Sequence, residues 1–151
     1  MKLSRSCERM LKRAAACALL AIVVLVSGCT SKTETATKEG VAAATAWLQL
    51  LDQRKYDVAW DNSDDAIKGA GPQQTFVKMM QQTREPLGRT ISRKQKDVGY
   101  AKDPQNAPPG EYVQMHFATS LENAKNATET VIVKKQADGS WKVGQYSINP
   151  E

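Results

Sequence analysis

Glu111-Tyr112-Val113-Gln114-Met115-His116-Phe117-Ala118-Thr119-Ser120-Leu121 alternates with a period of two. Val113, Met115, Phe117, Thr119 and Leu121 share one face; Tyr112, Gln114, His116 and Ser120 share the other. Successive side chains of a strand point to opposite faces, so this pattern predicts a strand with one face on a core. Its neighbours extend a sheet. Arg89 to Tyr100 (RTISRKQKDVGY) is polar for a strand and is expected to be partly exposed. Asp103 to Gly110 (DPQNAPPG) is a proline-rich loop, too punctuated for regular structure. Thr128 to Gln136 reads as a third strand, Ala137-Asp138-Gly139 as a tight turn, and Ser140 to Ile148 as the closing strand. Val143 and Tyr146 are both apolar but out of phase, which makes Gly144 a candidate bulge.

Upstream the period is helical. Val41, Ala44, Trp47, Leu48 and Leu51 mark one apolar face of a helix beginning near Glu39. Tyr56 to Trp60 starts a second helix, which Asn62-Ser63-Asp64-Asp65 breaks or recaps before Ile67. Gly71-Pro72 opens a third, with Phe76, Met79, Met80, Thr83 and Leu87 as its stripe and Pro86 as its stop. Helices followed by strands argue for an α+β fold: three N-terminal helices packed on a four-stranded antiparallel sheet. No internal repeat is present.

The first 28 residues read as a leader. Lys2, Arg5, Arg9, Lys12 and Arg13 face a single acid, Glu8, and Ala14 to Val26 is a run without charge. That run is shorter than the roughly 17–25 residues of a spanning helix and fits a signal-peptide apolar region. Leu25-Val26-Ser27-Gly28-Cys29 resembles the bacterial lipobox, which implies cleavage between Gly28 and Cys29 and a lipid on Cys29. A single acyl chain binds membranes marginally, whereas several anchor stably. Thr30 in the second mature position, in a Gram-negative host, implies the outer membrane, facing the periplasm. Residues 29–38 are then the lipidated cysteine and a flexible tether, and 39–151 a single domain.

The leader also explains the charge. The chain carries 21 basic and 16 acidic side chains, a net +5. Without the leader's five basic residues and one acid, 16 basic and 15 acidic remain, a net +1. A nucleic-acid binder needs a basic stripe, and none is left, so that partner class is rejected. Cys7 and Cys17 leave with the leader and Cys29 is acylated, so no thiol remains for a disulfide, a metal or a nucleophile.

Site signals in the domain are sparse. His116 is the single histidine, on the outer face with Tyr112, and reads first as a surface residue. One histidine without thiols cannot make a zinc set. Asp61 to Asp65 lacks the glycine and distal glutamate of a calcium loop. Neither a Gly-x-Ser-x-Gly elbow nor a phosphate-binding Gly-Lys-Ser/Thr is present, and no cofactor is expected. Arg84, Arg89 and Arg93 cluster where the third helix turns into the first strand. They are candidates for an anionic ligand or, more simply, for pairs with Glu85, Glu111 or Glu129. Asp52 with Tyr56 or Tyr100 could be cast as the base and phenol of an isomerase-type pocket. It reads more simply as the polar end of the first helix.

Trp47-Leu48, Asp52, Tyr56, Trp60, Arg84-Glu85-Pro86-Leu87-Gly88, Arg93, Pro109-Gly110-Glu111-Tyr112, Glu129-Thr130, Asp138-Gly139 and Trp141-Lys142-Val143 occur in an order that resembles a known family. This is the domain-of-unknown-function 4019 family of bacterial secreted and lipid-anchored proteins. The resemblance implies no activity. The order of elements is also similar to the nuclear transport factor 2-like, or cystatin-like, cone, in which a curved sheet wraps a helix. Such folds serve enzymes and binding modules alike, so fold does not choose a function. The expectation is a non-enzymatic envelope lipoprotein that binds a ligand or a protein partner, with the outer sheet face a candidate homodimer surface. The alternative is an isomerase- or dehydratase-like enzyme with a cone pocket.

Overall fold

The computed structural model describes residues 31–151. The leader, the cleavage site and Cys29 lie outside the described residues. The chain is α+β. Its helices are α1 (Lys32–Asp52), α2 (Tyr56–Asp61), α3 (Asp65–Lys68) and α4 (Gln73–Thr83), followed by a 3₁₀ turn at Glu85–Leu87. The strands β1 (Thr90–Lys102), β2 (Glu111–Leu121), β3 (Ala127–Lys135) and β4 (Trp141–Pro150) follow. They form one antiparallel sheet in the order β1-β2-β3-β4, each strand pairing with the next in sequence.

The quoted strand behaves as its alternation demands. Val113, Met115 and Leu121 are fully buried, and Phe117 and Thr119 nearly so, while Gln114 is exposed on the other face. Val131 and Val133 of β3 and Val143 of β4 continue the same buried face. The bulge is at Gly144. Ile132 pairs with Gln145 but Val133 with Val143, leaving Gly144 as the extra residue on β4. That extra residue returns Tyr146 to the core side, opposite Val131. The β3–β4 turn is closed by Asp138, whose Oδ1 accepts from Ser140 N at 2.9 Å, with Gly139 at φ 86°. Strand β1 is largely exposed and carries register shifts at Thr90–Ser92 and Gln95–Asp97.

One helical expectation is corrected. The first helix does not begin near Glu39 after a flexible tether; it begins at Lys32. Ser31 Oγ accepts from Glu34 N at 3.1 Å, and Lys38 pairs with Glu34 at 2.7 Å one turn later. A Ser at the cap satisfies an amide that the first turn would otherwise leave open. The second helix breaks at Asn62 and is recapped at Asp64, as the Asn62-Ser63-Asp64-Asp65 stretch predicts. Ser63 bridges to Val143 and Asp64 N donates to Val143 O at 2.8 Å, which ties the break to β4. Asp64 Oδ1 then accepts from Ala66 N at 2.8 Å and starts α3.

Helix α1 buries Ala36, Gly40, Ala44, Trp47, Leu48 and Leu51 against the sheet's inner residues. Gly40 is the point of closest approach. A Cβ there would lie 2.8 Å from Val113 Cγ2 and 3.2 Å from Val133 Cγ2. Glycine costs about 1 kcal/mol relative to alanine inside a helix. Forcing a methyl into a packed core costs about 1–3 kcal/mol, so the steric term outweighs the propensity gain. Gly40→Ala is therefore expected to lower the urea midpoint at unchanged m-value. A higher midpoint would mean that α1 has room to lift from the sheet.

Candidate functional site

The face of the sheet turned away from the helices carries a groove of about 610 Å³. Its floor is Tyr112, Gln114, His116, Ile132 and Lys134, the outward-pointing residues of β2 and β3. The proline-rich β1–β2 loop makes one wall through Pro104 and Pro108. It is held by Tyr112 Oη donating to Pro108 O at 2.7 Å and Gly110 N donating to Asp103 Oδ1 at 2.8 Å. Asp64, Ala66 and Gly144 line the groove at the side of β4. Ligand sites are characteristically concave, with a few fixed polar groups in an otherwise apolar lining.

Polar groups in the groove are mostly committed to one another. His116 Nδ1 lies 2.6 Å from Asp97 Oδ1, and its Nε2 lies 3.2 Å from Gln114 Nε2. Asp64 Oδ2 accepts from Gln136 Nε2 at 2.8 Å. Lys134 is the exception. Its ammonium sits 5.7 Å from the Tyr112 ring centroid, and no carboxylate among the described residues pairs with it within 4.0 Å. The sequence reading thus placed His116 and Tyr112 on the right face. Gln114 shares that face as the alternation requires, whereas Asp97 and Lys134 are brought beside them by register with the two flanking strands.

Arg84 and Arg93 lie elsewhere, in a buried ionic network on the inner side of the sheet. Glu129 is fully buried. It accepts from Arg93 Nε at 2.6 Å, Thr119 Oγ1 at 2.6 Å and Tyr146 Oη at 2.8 Å. Asp52, at the end of α1, accepts from Arg84 Nη2 at 3.1 Å, Arg93 Nη1 at 2.8 Å and Thr90 Oγ1 at 2.7 Å. Arg84, buried to 3 % exposure, also donates from Nη1 to Gly88 O at 3.1 Å. Two cations and two carboxylates balance, and the network joins α1, the 3₁₀ turn and all four strands. Of the partners the sequence offers, Glu85, Glu111 and Glu129, Arg93 takes Glu129, in a buried contact. Arg89 stands apart, exposed, with its Nε 2.7 Å from Glu122 Oε1.

Charge and burial set the titration of this network. Burial pushes Asp52 up, but hydrogen bonds from Arg93 and Thr90 and the charges of Arg93 and Arg84 hold it below the ordinary carboxylate range. Burial, then the charge and hydrogen bond of Glu129, push Tyr146 well above its ordinary 10.0. A carboxylate lowered in the folded state stabilises above its unfolded pKa and loses that contribution as pH falls through the folded value. A phenol raised in the folded state stabilises below its unfolded pKa and loses that contribution as pH rises past it. The urea midpoint is therefore expected to fall on the acid side below about pH 4 and on the alkaline side above about pH 10. Tyr146→Phe should make the alkaline limb shallower; an unchanged limb would mean that Tyr146 ionises freely in the folded chain.

The base-and-phenol arrangement suggested for Asp52 is not what the fold assembles. Both Asp52 oxygens are occupied by arginines and a threonine, and its pKa moves opposite to the rise a general base at neutral pH needs. Tyr100 Oη donates to Glu111 Oε2 at 3.1 Å, and Tyr56 is buried in the core. The hollow beside Asp52 is about 20 Å³, room for one water. Among the described residues no group of three or more His, Cys, Asp and Glu side chains converges as a metal would require. No helix among them is long and apolar enough to cross a membrane.

Asp52, Arg84, Arg93 and Glu129 all belong to the set of residues on which the family resemblance rests. The comparison with family models agrees with that resemblance over 43–146, from within α1 to Tyr146 on β4. No curated protein matches the chain. The chain belongs to the family described as protein of unknown function (DUF4019).

Proposed function

We propose that this chain is a non-enzymatic binding module, held at the bacterial envelope by lipid on Cys29, that seats its ligand in the outer-face groove. The observation that carries the reading is the groove itself: a walled cavity of about 610 Å³ on a sheet face whose opposite side is filled by the core. The fold that supports it is a nuclear transport factor 2-like cone, with α1 lying along the inner side of the sheet. The buried arginines serve this architecture by locking the sheet to the end of α1. The envelope assignment rests on the basic leader and the Leu25-Val26-Ser27-Gly28-Cys29 pattern. The absence of aspartate at Thr30 supports an outer-membrane destination facing the periplasm.

The reading is tested on the full chain expressed in a Gram-negative bacterium. Metabolic labelling with palmitate is expected to mark the parent protein and to vanish in Cys29→Ser, which should also leave the membrane fraction. Label retained by Cys29→Ser would end the anchor assignment. For the groove, native mass spectrometry of the purified parent is expected to show a bound small-molecule mass that Gln114→Trp removes. The same bound mass on Gln114→Trp would place the ligand elsewhere, and a chain that carries no bound mass would count against the groove as its seat.

A further inference from the structure

A second cavity opens beside the groove. It occupies about 270 Å³ between α3, α4 and β4, and its lining contains no charged side chain. Ile67, Phe76, Met79, Met80 and Tyr146 supply its apolar wall. The helical stripe of α4 predicts Met79 in the core, yet it is 45 % exposed at this crevice while Phe76 and Met80 are buried. Methionine is unbranched and flexible, and it suits a wall that must fit a variable chain.

The two cavities share Ala66, Gly144 and Gln145 in their linings, so they meet at the β4 bulge. Gly144 borders both cavities and puts no side chain between them. A Cβ there would meet Asp64 Oδ1 at 3.5 Å and Ala66 Cβ at 3.8 Å, ordinary contact distances. A larger side chain would occupy the junction. The polarity differs on its two sides. Beyond Gly144 the crevice is wholly uncharged; before it lies the groove, where the carboxylates are engaged and the Lys134 ammonium faces no acid.

We propose that groove and crevice form one site for an amphipathic ligand with an anionic head and a single alkyl chain. The chain lies among Ile67, Phe76, Met79 and Met80, and the head lies in the groove beside Lys134. This rests on the groove being a ligand seat and adds the class of ligand. An anion fits because it gains a charge-assisted contact with Lys134 while Asp97 and Asp64 are already satisfied. A flexible apolar tail fits because the crevice offers no hydrogen-bonding side chain other than Thr75, Gln145 and the Tyr146 hydroxyl, which is engaged by Glu129.

The test uses the full chain in membranes and a dodecanoate probe with a diazirine near its methyl end, followed by peptide mapping of adducts. Saturable adducts are expected within residues 66–80, competed by dodecanoate more strongly than by dodecanol. Gly144→Leu should reduce them about tenfold or more by closing the junction. Lys134→Glu, on the solvent side of the sheet, should reduce them about fivefold or more without altering the melting temperature, and keeps the test valid if Gly144→Leu folds poorly. Adducts confined to β2 and β3 and indifferent to Gly144→Leu would overturn the amphiphile while leaving the groove as a ligand seat. Adducts unaffected by both variants would overturn the proposal as well. Absence of saturable adducts, with a different small molecule retained by the parent and lost by Gln114→Trp, would reject this ligand class alone.

Discussion

Glu129→Ala is expected to lower stability by about 3–5 kcal/mol, the loss typical of removing one partner from a buried ion pair. The effect should be large because the residue left behind is not one group but three. Arg93 Nε, Thr119 Oγ1 and Tyr146 Oη all donate to Glu129, and Arg84 Nε lies 4.0 Å from it. Each donor would remain buried without its acceptor. Domains of this size are stable by only about 5–15 kcal/mol, so the variant should melt about 10–20 °C lower. Glu129→Gln keeps an acceptor oxygen but removes the charge and should fall between parent and alanine. A double-mutant cycle between Glu129→Ala and Arg93→Met would read their coupling directly. Equal losses for the two single variants and the double variant would mean strong coupling; fully additive losses would mean that the ion pair is not a unit.

Trp47→Ala is expected to cost a similar amount, about 3–5 kcal/mol, for a different reason. Trp47 is 3 % exposed and sits where α1, α2, α4 and β4 meet. Its ring packs edge-on to Phe76 at 6.3 Å between centroids and against Tyr146 at 5.3 Å. Its indole Nε1 donates to Ala59 O at 2.9 Å and lies 3.0 Å from Ser63 Oγ, which itself donates to Ala59 O at 2.7 Å. Alanine would leave a cavity bordered by rigid aromatics. Phenylalanine would keep most of the packing and lose the indole hydrogen bond, and should cost less than half as much. Urea unfolding of the three proteins separates the two terms. A Phe variant as unstable as the Ala variant would show that the hydrogen bond, not volume, dominates.

Strand β2 was readable to the residue because alternation is a local property: one side of a strand is buried and the other is not. Gly144 was readable as a bulge for the same reason, since an out-of-phase pair of apolar residues needs one extra residue between them. Periodicity does not mark the start of α1, because Thr30 to Lys38 is polar and reads as a tether. The Ser31-x-x-Glu34 spacing is a helix-start signal, and Ser31 does cap the helix. Gly40 leaves no mark on the hydrophobic stripe, although its missing side chain is what lets α1 touch Val113.

The site residues divide in the same way. Sequence spacing brought Arg84, Arg89 and Arg93 together along the chain, yet the fold separates them. Arg84 and Arg93 turn to Asp52 and Glu129 on the inner side, and Arg89 turns to Glu122 in solvent. No local pattern distinguishes a buried arginine from an exposed one when its partner lies more than thirty residues away.

By itself the sequence determined the α+β class, the strand order along the chain, the buried face of β2 and membership of the DUF4019 family, all of which follow from periodicity and ordered short-range patterns. Only the tertiary structure decided that Glu129 is a buried acceptor, that Lys134 stands in a groove without an acid paired to it, and that Gly144 borders both that groove and an apolar crevice. Those facts depend on register between strands and on how α3 and α4 meet the edge of the sheet, and such long-range geometry leaves no period in the chain.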